Sequence, residues 1–329
     1  MWATRWRTAI ACWRRNGRRS SKPRPWTSCS GCSRGAYSGS PAYPPLSVQQ
    51  AAPTSGARSL DSILCLMLSR LLLLTALLIV SGRGAALSAA PTHVVFMIGE
   101  EEYHTWESLP VFAEKELKPR GYRVTIVTAD PQNKHHFPGL VTALKDADVL
   151  FLSVRRRFPP KEQLDAVRAH LAAGKPLIGI RTACHAFALA RNEKLPDPEL
   201  ATWEGFDPEV LGGHYTTYYR NNKTTAVAFA AGAAAHSIAQ GLDLAKLVGH
   251  CPLYIVSPLV PDAMPLLVGT TPVAVGQKIE LKSEPVAWTR RYGPRDARIF
   301  YTSLGDAEDF KNAEFRRLLV NSVAWAVDR

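Results

Sequence analysis

Four short apolar runs constrain the fold of this chain more than any other feature: HVVFMI (93–98), YRVTIVT (122–128), DVLFLSV (148–154) and KPLIGIR (175–181). Each is rich in β-branched residues and uninterrupted, as expected of strands buried on both faces. Helical spacing fills the gaps. Ser108–Lys118 places Leu109, Phe112, Ala113 and Leu117 on one face, and Pro160–Ala173 does the same with Leu164, Val167 and Leu171. Gly121 and Gly174 follow these helices, where the backbone turns to positive φ. Strand–helix alternation with short links predicts an α/β fold: an open, mostly parallel sheet with helices on both faces, flavodoxin-like or doubly wound.

Later strands are expected at Thr224–Ala230, Met264–Val268, Glu284–Thr289 and Arg298–Thr302, with a closing helix from Glu308 to Val327. Between the fourth run and these lies a long polar insertion, RNEKLPDPELATWEGFDPEVLGGHYTTYYRNN (191–222). Ordered loops of that length are usually functional.

The chain ahead of this domain is different. Residues 1–66 hold ten Lys/Arg against one acid, Asp61, and show no period of 2 or 3.6, which predicts a disordered basic leader. Residues 67–90 have the layout of a secretory signal peptide: Arg70, an apolar run from Leu71 to Val80, then small residues before Pro91. Translation from Met67 and export to the periplasm or the extracellular space are the simplest expectation. A single-pass anchor is the alternative, although the apolar run is short of the ~20 residues a span needs.

The net charge of +12 comes mostly from that leader; the rest carries 30 basic and 27 acidic residues. So balanced a domain has no electrostatic footprint for nucleic acid. Cys29-x-x-Cys32 is a single pair without a second, in a stretch with no strand or helix pattern, and makes a weak metal or redox signal.

Ligands of open parallel sheets bind beyond the carboxyl ends of the strands, so the loops there hold the candidate site residues. The first run leads into GEEEYHTWE, with Glu100, Glu101, Glu102, Tyr103 and His104. Carboxylates beside a histidine suit metal binding, acid/base chemistry or simple helix capping. The third run leads into Arg155, Arg156 and Arg157, a cation set for a carboxylate or phosphate, or a solvated edge. The fourth enters GIRTACHAFA, which has the Gly-x-tip-x-small form of a nucleophile elbow, but with Arg181 at the tip. Arginine stays protonated and cannot be a nucleophile. Cys184 falls three residues on, and its neighbour His185 is expected to point elsewhere, so Cys184 reads as a small buried hydrophobe.

The segments IGEEEYHTWESLPVFA, GIRTACHAFA, FDPEVLGGHYTTYYRNN, AAAHSIAQGL and PVAWTRRYG…RIFYTSLGDAEDF…FRRLLVNSVAWA together resemble the ThuA-like (trehalose utilisation) family of the class I glutamine amidotransferase-like superfamily. The resemblance covers residues 91–329. It implies a flavodoxin-like fold without the amidotransferase cysteine, a role in carbohydrate metabolism on oxidised sugars or disaccharides, and a divalent metal as one option. Carried onto this chain, the implied catalytic set is Arg181, His185, Glu102, His214 and Asp306. The implied substrate contacts are Tyr103, His104 and Tyr215, to which the loop after the third run adds Arg155; a metal would fall to Glu102, His104, His185 and His214, which show no tight ligand spacing such as His-x-x-x-His. Asp306 stands where the family commonly has histidine, and Ser237 where it has proline.

Three functions compete on this reading. The first is acid/base chemistry on a keto-sugar as small-molecule substrate. The second is a non-catalytic carbohydrate-binding or regulatory module. The third is a Cys184-dependent hydrolase or amidotransferase.

Overall fold

The computed structural model describes residues 90–220 and 224–328. The basic leader, the Cys29/Cys32 pair and, apart from Ala90, the expected signal segment lie outside the described residues.

The strands are β1 (His93–Gly99), β2 (Arg123–Thr128), β3 (Val149–Val154), β4 (Leu177–Ile180), β5 (Thr217–Tyr218), β6 (Thr225–Phe229), β7 (Val248–Gly249), β8 (Tyr254–Ile255), β9 (Met264–Val275), β10 (Lys278–Tyr292) and β11 (Ala297–Thr302). All but β5 and β8 join one sheet in the order β2-β1-β3-β4-β11-β10-β9-β6-β7. The first five of these pair in parallel. Their order is the flavodoxin-like one, in which consecutive right-handed crossovers wind both ways from β1. The four apolar runs supply β1 to β4; β1, β3 and β4 are buried throughout as their patterns predict, whereas β2, at the sheet edge, is only partly buried.

The remaining strands are antiparallel. β9 and β10 run well past the expected Met264–Val268 and Glu284–Thr289. A tight turn with Gly276 at φ 62° joins them into a long hairpin, which forces antiparallel pairing. Its outer half carries exposed Val275, Ile279 and Leu281, so no buried apolar face marks it in the sequence.

Helices cover both faces. α1 (Thr105–Phe112), α2 (Leu140–Lys145), α3 (Lys161–Ala172), α4 (Ala307–Lys311) and α5 (Ala313–Val327) are the α-helical elements. Successive strand side chains point to opposite faces, which divides the core in two. Val94, Phe96, Phe151 and Ile178 pack with Phe112, Phe315 and Leu319. Val95, Met97, Leu150 and Leu152 pack with Leu164, Val167 and Leu171 on the other side. The single closing helix expected over Glu308–Val327 is two helices. Asn312 leaves the helical region (φ −80°, ψ 126°), and its side chain accepts the Glu314 N–H at 2.8 Å to start α5. No helix among the described residues is long and apolar enough to cross a membrane.

Candidate functional site

At the carboxyl ends of β1, β3 and β4, three non-glycine residues sit in the left-handed region: His104 (φ 53°), Arg156 (φ 47°) and Arg181 (φ 45°). Such backbones are unfavourable for residues with a Cβ and concentrate at functional sites. The β4 elbow is the best defined. Ile180 is extended, Arg181 reverses the chain, and a 3₁₀ turn runs from Arg181 to His185. A Cβ on Gly179 would stand 3.3 Å from the Ala183 Cβ and 3.2 Å from the Tyr301 ring. This is why the elbow needs small residues on either side of its tip.

The tip does not face solvent. Arg181 is 1% exposed. Its Nη1 donates to the carbonyls of Ser303 (2.7 Å) and Pro252 (3.2 Å), and its Nη2 donates to the Tyr103 hydroxyl (3.1 Å). The rings of Tyr254 and Tyr103 cover the guanidinium, 3.6 and 4.6 Å from its carbon. Tyr301 donates its hydroxyl to the Arg181 carbonyl at 2.6 Å. Only Nε lacks a partner. Arg181 is therefore a buried hub that gathers three loops and orients Tyr103, rather than an open anion site.

His185 lies beside this hub, its ring 4.9 Å from that of Tyr215 and 6.4 Å from that of Tyr254. Burial, reinforced by Arg156, Arg155 and Arg181, pushes its pKa down to about 3. It is a neutral imidazole at ordinary pH. Its Nδ1 stands 3.1 Å from the Cys184 sulfur, a contact that adjacent positions on a regular helix would not make. The contact does not activate the thiol. Burial, with Asp207 nearby, holds Cys184 well above the usual thiol range. A neutral imidazole beside an un-ionised thiol is not the thiolate–imidazolium pair that cysteine catalysis needs.

Asp207, which no sequence motif marks, is the unexpected member. It begins a single π turn, Asp207–Leu211, ended by Gly212 at φ 83°. One oxygen accepts the Tyr215 N–H at 2.5 Å. Burial raises this acid to about 8. His214 Nδ1 is 3.5 Å away, but the His214 side chain is 66% exposed, and burial of the carboxyl prevails. Asp207 is a protonated acid near neutrality.

The other expected residues sit at the rim or elsewhere. Glu102 is exposed; it pairs with Arg155 Nε at 2.8 Å and accepts the Tyr103 hydroxyl at 3.2 Å. Buried Glu100 pins their loop by accepting the N–H groups of Tyr103 (2.8 Å) and Thr105 (2.6 Å). Arg156 donates to the Ala188 carbonyl, and Arg157 pairs with Glu101. Two expectations need correction. His104 turns outward to Glu107 (3.6 Å) and lines a separate cleft of about 470 Å³ between α1 and α4. Asp306 is a helix cap: its side chain accepts the Glu308 N–H at 3.0 Å as half of a capping box with Asp309. That capping contact uses Oδ1 and holds the carboxylate at the start of α4.

The family profile for ThuA, described as trehalose utilisation, matches residues 93–326. The chain belongs to the ThuA family. A solved ThuA-like protein from Bacteroides uniformis ATCC 8492 is similar at 20% identity and TM-score 0.53, over 75% of this chain and 96% of that one. Another from Parabacteroides merdae ATCC 43184 has 16% identity and TM-score 0.48, over 72% of this chain and 90% of that one. A search of the curated proteins gives no match.

For this ThuA-family chain the expected metal set does not assemble. No three His, Cys, Asp or Glu side chains among the described residues are grouped as metal ligands. Glu102 is held by Arg155, His104 points away, His185 faces Cys184 and His214 faces Asp207. The donor set does not fit a shared ion in this arrangement. Tyr254 and Asp207 complete the site but are not marked in the sequence. Asp207-Pro208 reads as an ordinary helix start, and Tyr254 sits in an unpatterned loop.

Proposed function

We propose that this domain performs acid/base chemistry on an oxidised (keto) sugar or disaccharide at the surface formed by Tyr103, Tyr215, His185 and Asp207. The carrying observation is the juxtaposition of a neutral, buried acid with an aromatic platform. Asp207, pushed up to about 8, can hand a proton to a carbonyl oxygen as negative charge develops there. Tyr215, which is half-buried, offers an apolar face for a sugar ring, and the buried Tyr254 backs it with ring centroids 4.4 Å apart. Arg181 donates to the Tyr103 hydroxyl and so fixes its ring at the edge of the site, while the hydroxyl proton goes to Glu102. His185 supplies a neutral ring nitrogen and shape, not a charge.

Membership of a family described by trehalose utilisation supports a glucosyl disaccharide as the class. The layout of residues 67–90 supports export of the domain, which N-terminal sequencing of the secreted form tests. For the chemistry, trehalose and its keto derivatives are offered to the wild type and to Asp207→Asn. Turnover by the wild type, with kcat reduced about 10²-fold in the variant, supports the reading. Wild-type binding without product supports a carbohydrate-binding module instead, which the complete burial of Arg181 favours.

A further inference from the structure

His250 and Asp309 form an imidazole–carboxylate pair that none of the chemistry above uses. Asp309 is completely buried. One oxygen accepts the His250 N–H (2.9 Å) and faces its Nδ1 (3.0 Å). The other accepts the N–H groups of Gly305 (2.8 Å) and Asp306 (3.1 Å), with the Cys251 sulfur at 3.8 Å. Held at both oxygens, the carboxylate cannot turn. It fixes Nδ1 as the donor and leaves the lone pair of His250 on Nε2. The imidazole is 39% exposed, and no protein group among the described residues takes Nε2.

The pair abuts the Arg181 hub through both of its segments. Two residues after His250, the Pro252 carbonyl accepts Arg181 Nη1. Gly305, bound by Asp309, packs so closely on the elbow that a Cβ there would stand 3.5 Å from the Arg181 Cβ. The other histidines near the elbow lack this combination. His185 is buried against a thiol, and His214 meets its carboxylate at 3.5 Å from an exposed position.

We infer that His250 is the catalytic base of the site, with Asp309 as its positioning residue, and that it removes the carbon-bound proton beside a sugar carbonyl. This rests on the keto-sugar reading. Nε2 takes the proton from the CH(OH) carbon, and the C–H electron pair forms a C=C bond to the carbonyl carbon. The carbonyl oxygen takes a proton from solvent, which reaches the exposed imidazole, giving an enediol. The original hydroxyl then returns a proton to solvent as its own C=O forms. The C=C pair collects the His250 proton at the former carbonyl carbon. The product is the isomer with its carbonyl moved by one carbon, and no external oxidant or reductant enters.

The test compares the full chain with His250→Ala and His250→Gln on a keto-disaccharide made by oxidising trehalose. The expected result for H250A is a fall in kcat of about 10²- to 10³-fold with KM changed less than about threefold. Free imidazole should restore H250A at least about tenfold and leave H250Q unchanged, which a merely structural histidine would not do. H250A retaining a third or more of wild-type kcat, or failing to respond to imidazole, overturns the assignment while the keto-sugar reading stands. A wild type that turns over none of these sugars removes both.

Discussion

The guanidinium carbon of Arg181 lies 3.6 Å from the ring centroid of Tyr254, a cation stacked on an aromatic face with no solvent between them. This contact, together with the two carbonyls that Nη1 serves, makes the elbow tip a structural keystone. Replacing Arg181 with Ala leaves the carbonyls of Ser303 and Pro252 without that donor and removes the cation from both rings. The expected loss is about 4 kcal/mol of stability, from unsatisfied acceptors at roughly 1–3 kcal/mol each and a desolvated cation–π contact. Arg181→Lys keeps the charge but not the planar fork, and should fall between the two. Urea unfolding of the three proteins measures this.

Asp207 sets a pH dependence of opposite sign to that of an ordinary carboxylate. Its pKa is raised by burial to about 8 from 3.8, so the folded protein holds its proton where the unfolded chain has lost it. This stabilisation is complete below pH 4 and disappears as pH rises through 8. Asp207→Asn should therefore gain stability relative to wild type between pH 5 and 9. Thermal melts should show the gap widening up to about pH 8 and levelling off above it.

Cys184 and Cys251 should resist alkylation in the folded protein. Both are buried; burial holds Cys184 well above the ordinary range and Cys251 at about 12. Iodoacetamide at neutral pH, read by peptide mass spectrometry, should leave both unmodified until denaturant is added. Cys184→Ala should retain sugar turnover within about threefold, as a packing substitution near the site.

The parallel half of the sheet was legible because β1, β3 and β4 are buried on both faces, and uninterrupted apolar runs have few other solutions. The elbow was legible too, since Gly179 and Ala183 record the close approach of its two arms. The hairpin arm was not, because Ile279 and Leu281 are apolar yet exposed. Site residues divided along the same line. Tyr103, His185 and Tyr215 lie in recognisable loops, whereas Asp207, His250 and Asp309 owe their character to tertiary contacts. His250 and Asp309 are 59 residues apart in sequence, and no local pattern announces their pairing. Asp306 caps α4, and a helix cap and a catalytic acid use the same residue type at the end of a strand, so the sequence alone does not separate the two.

Exchange of substrate protons with solvent tests the central claim most directly. A keto-disaccharide is incubated with the wild-type chain in D₂O, and proton NMR follows the C–H signal beside the carbonyl. Acid/base chemistry at this site predicts loss of that signal about 10²-fold or more faster than in buffer alone, and much slower loss with Asp207→Asn. A sugar that binds to the wild type yet exchanges no faster than in buffer would contradict it.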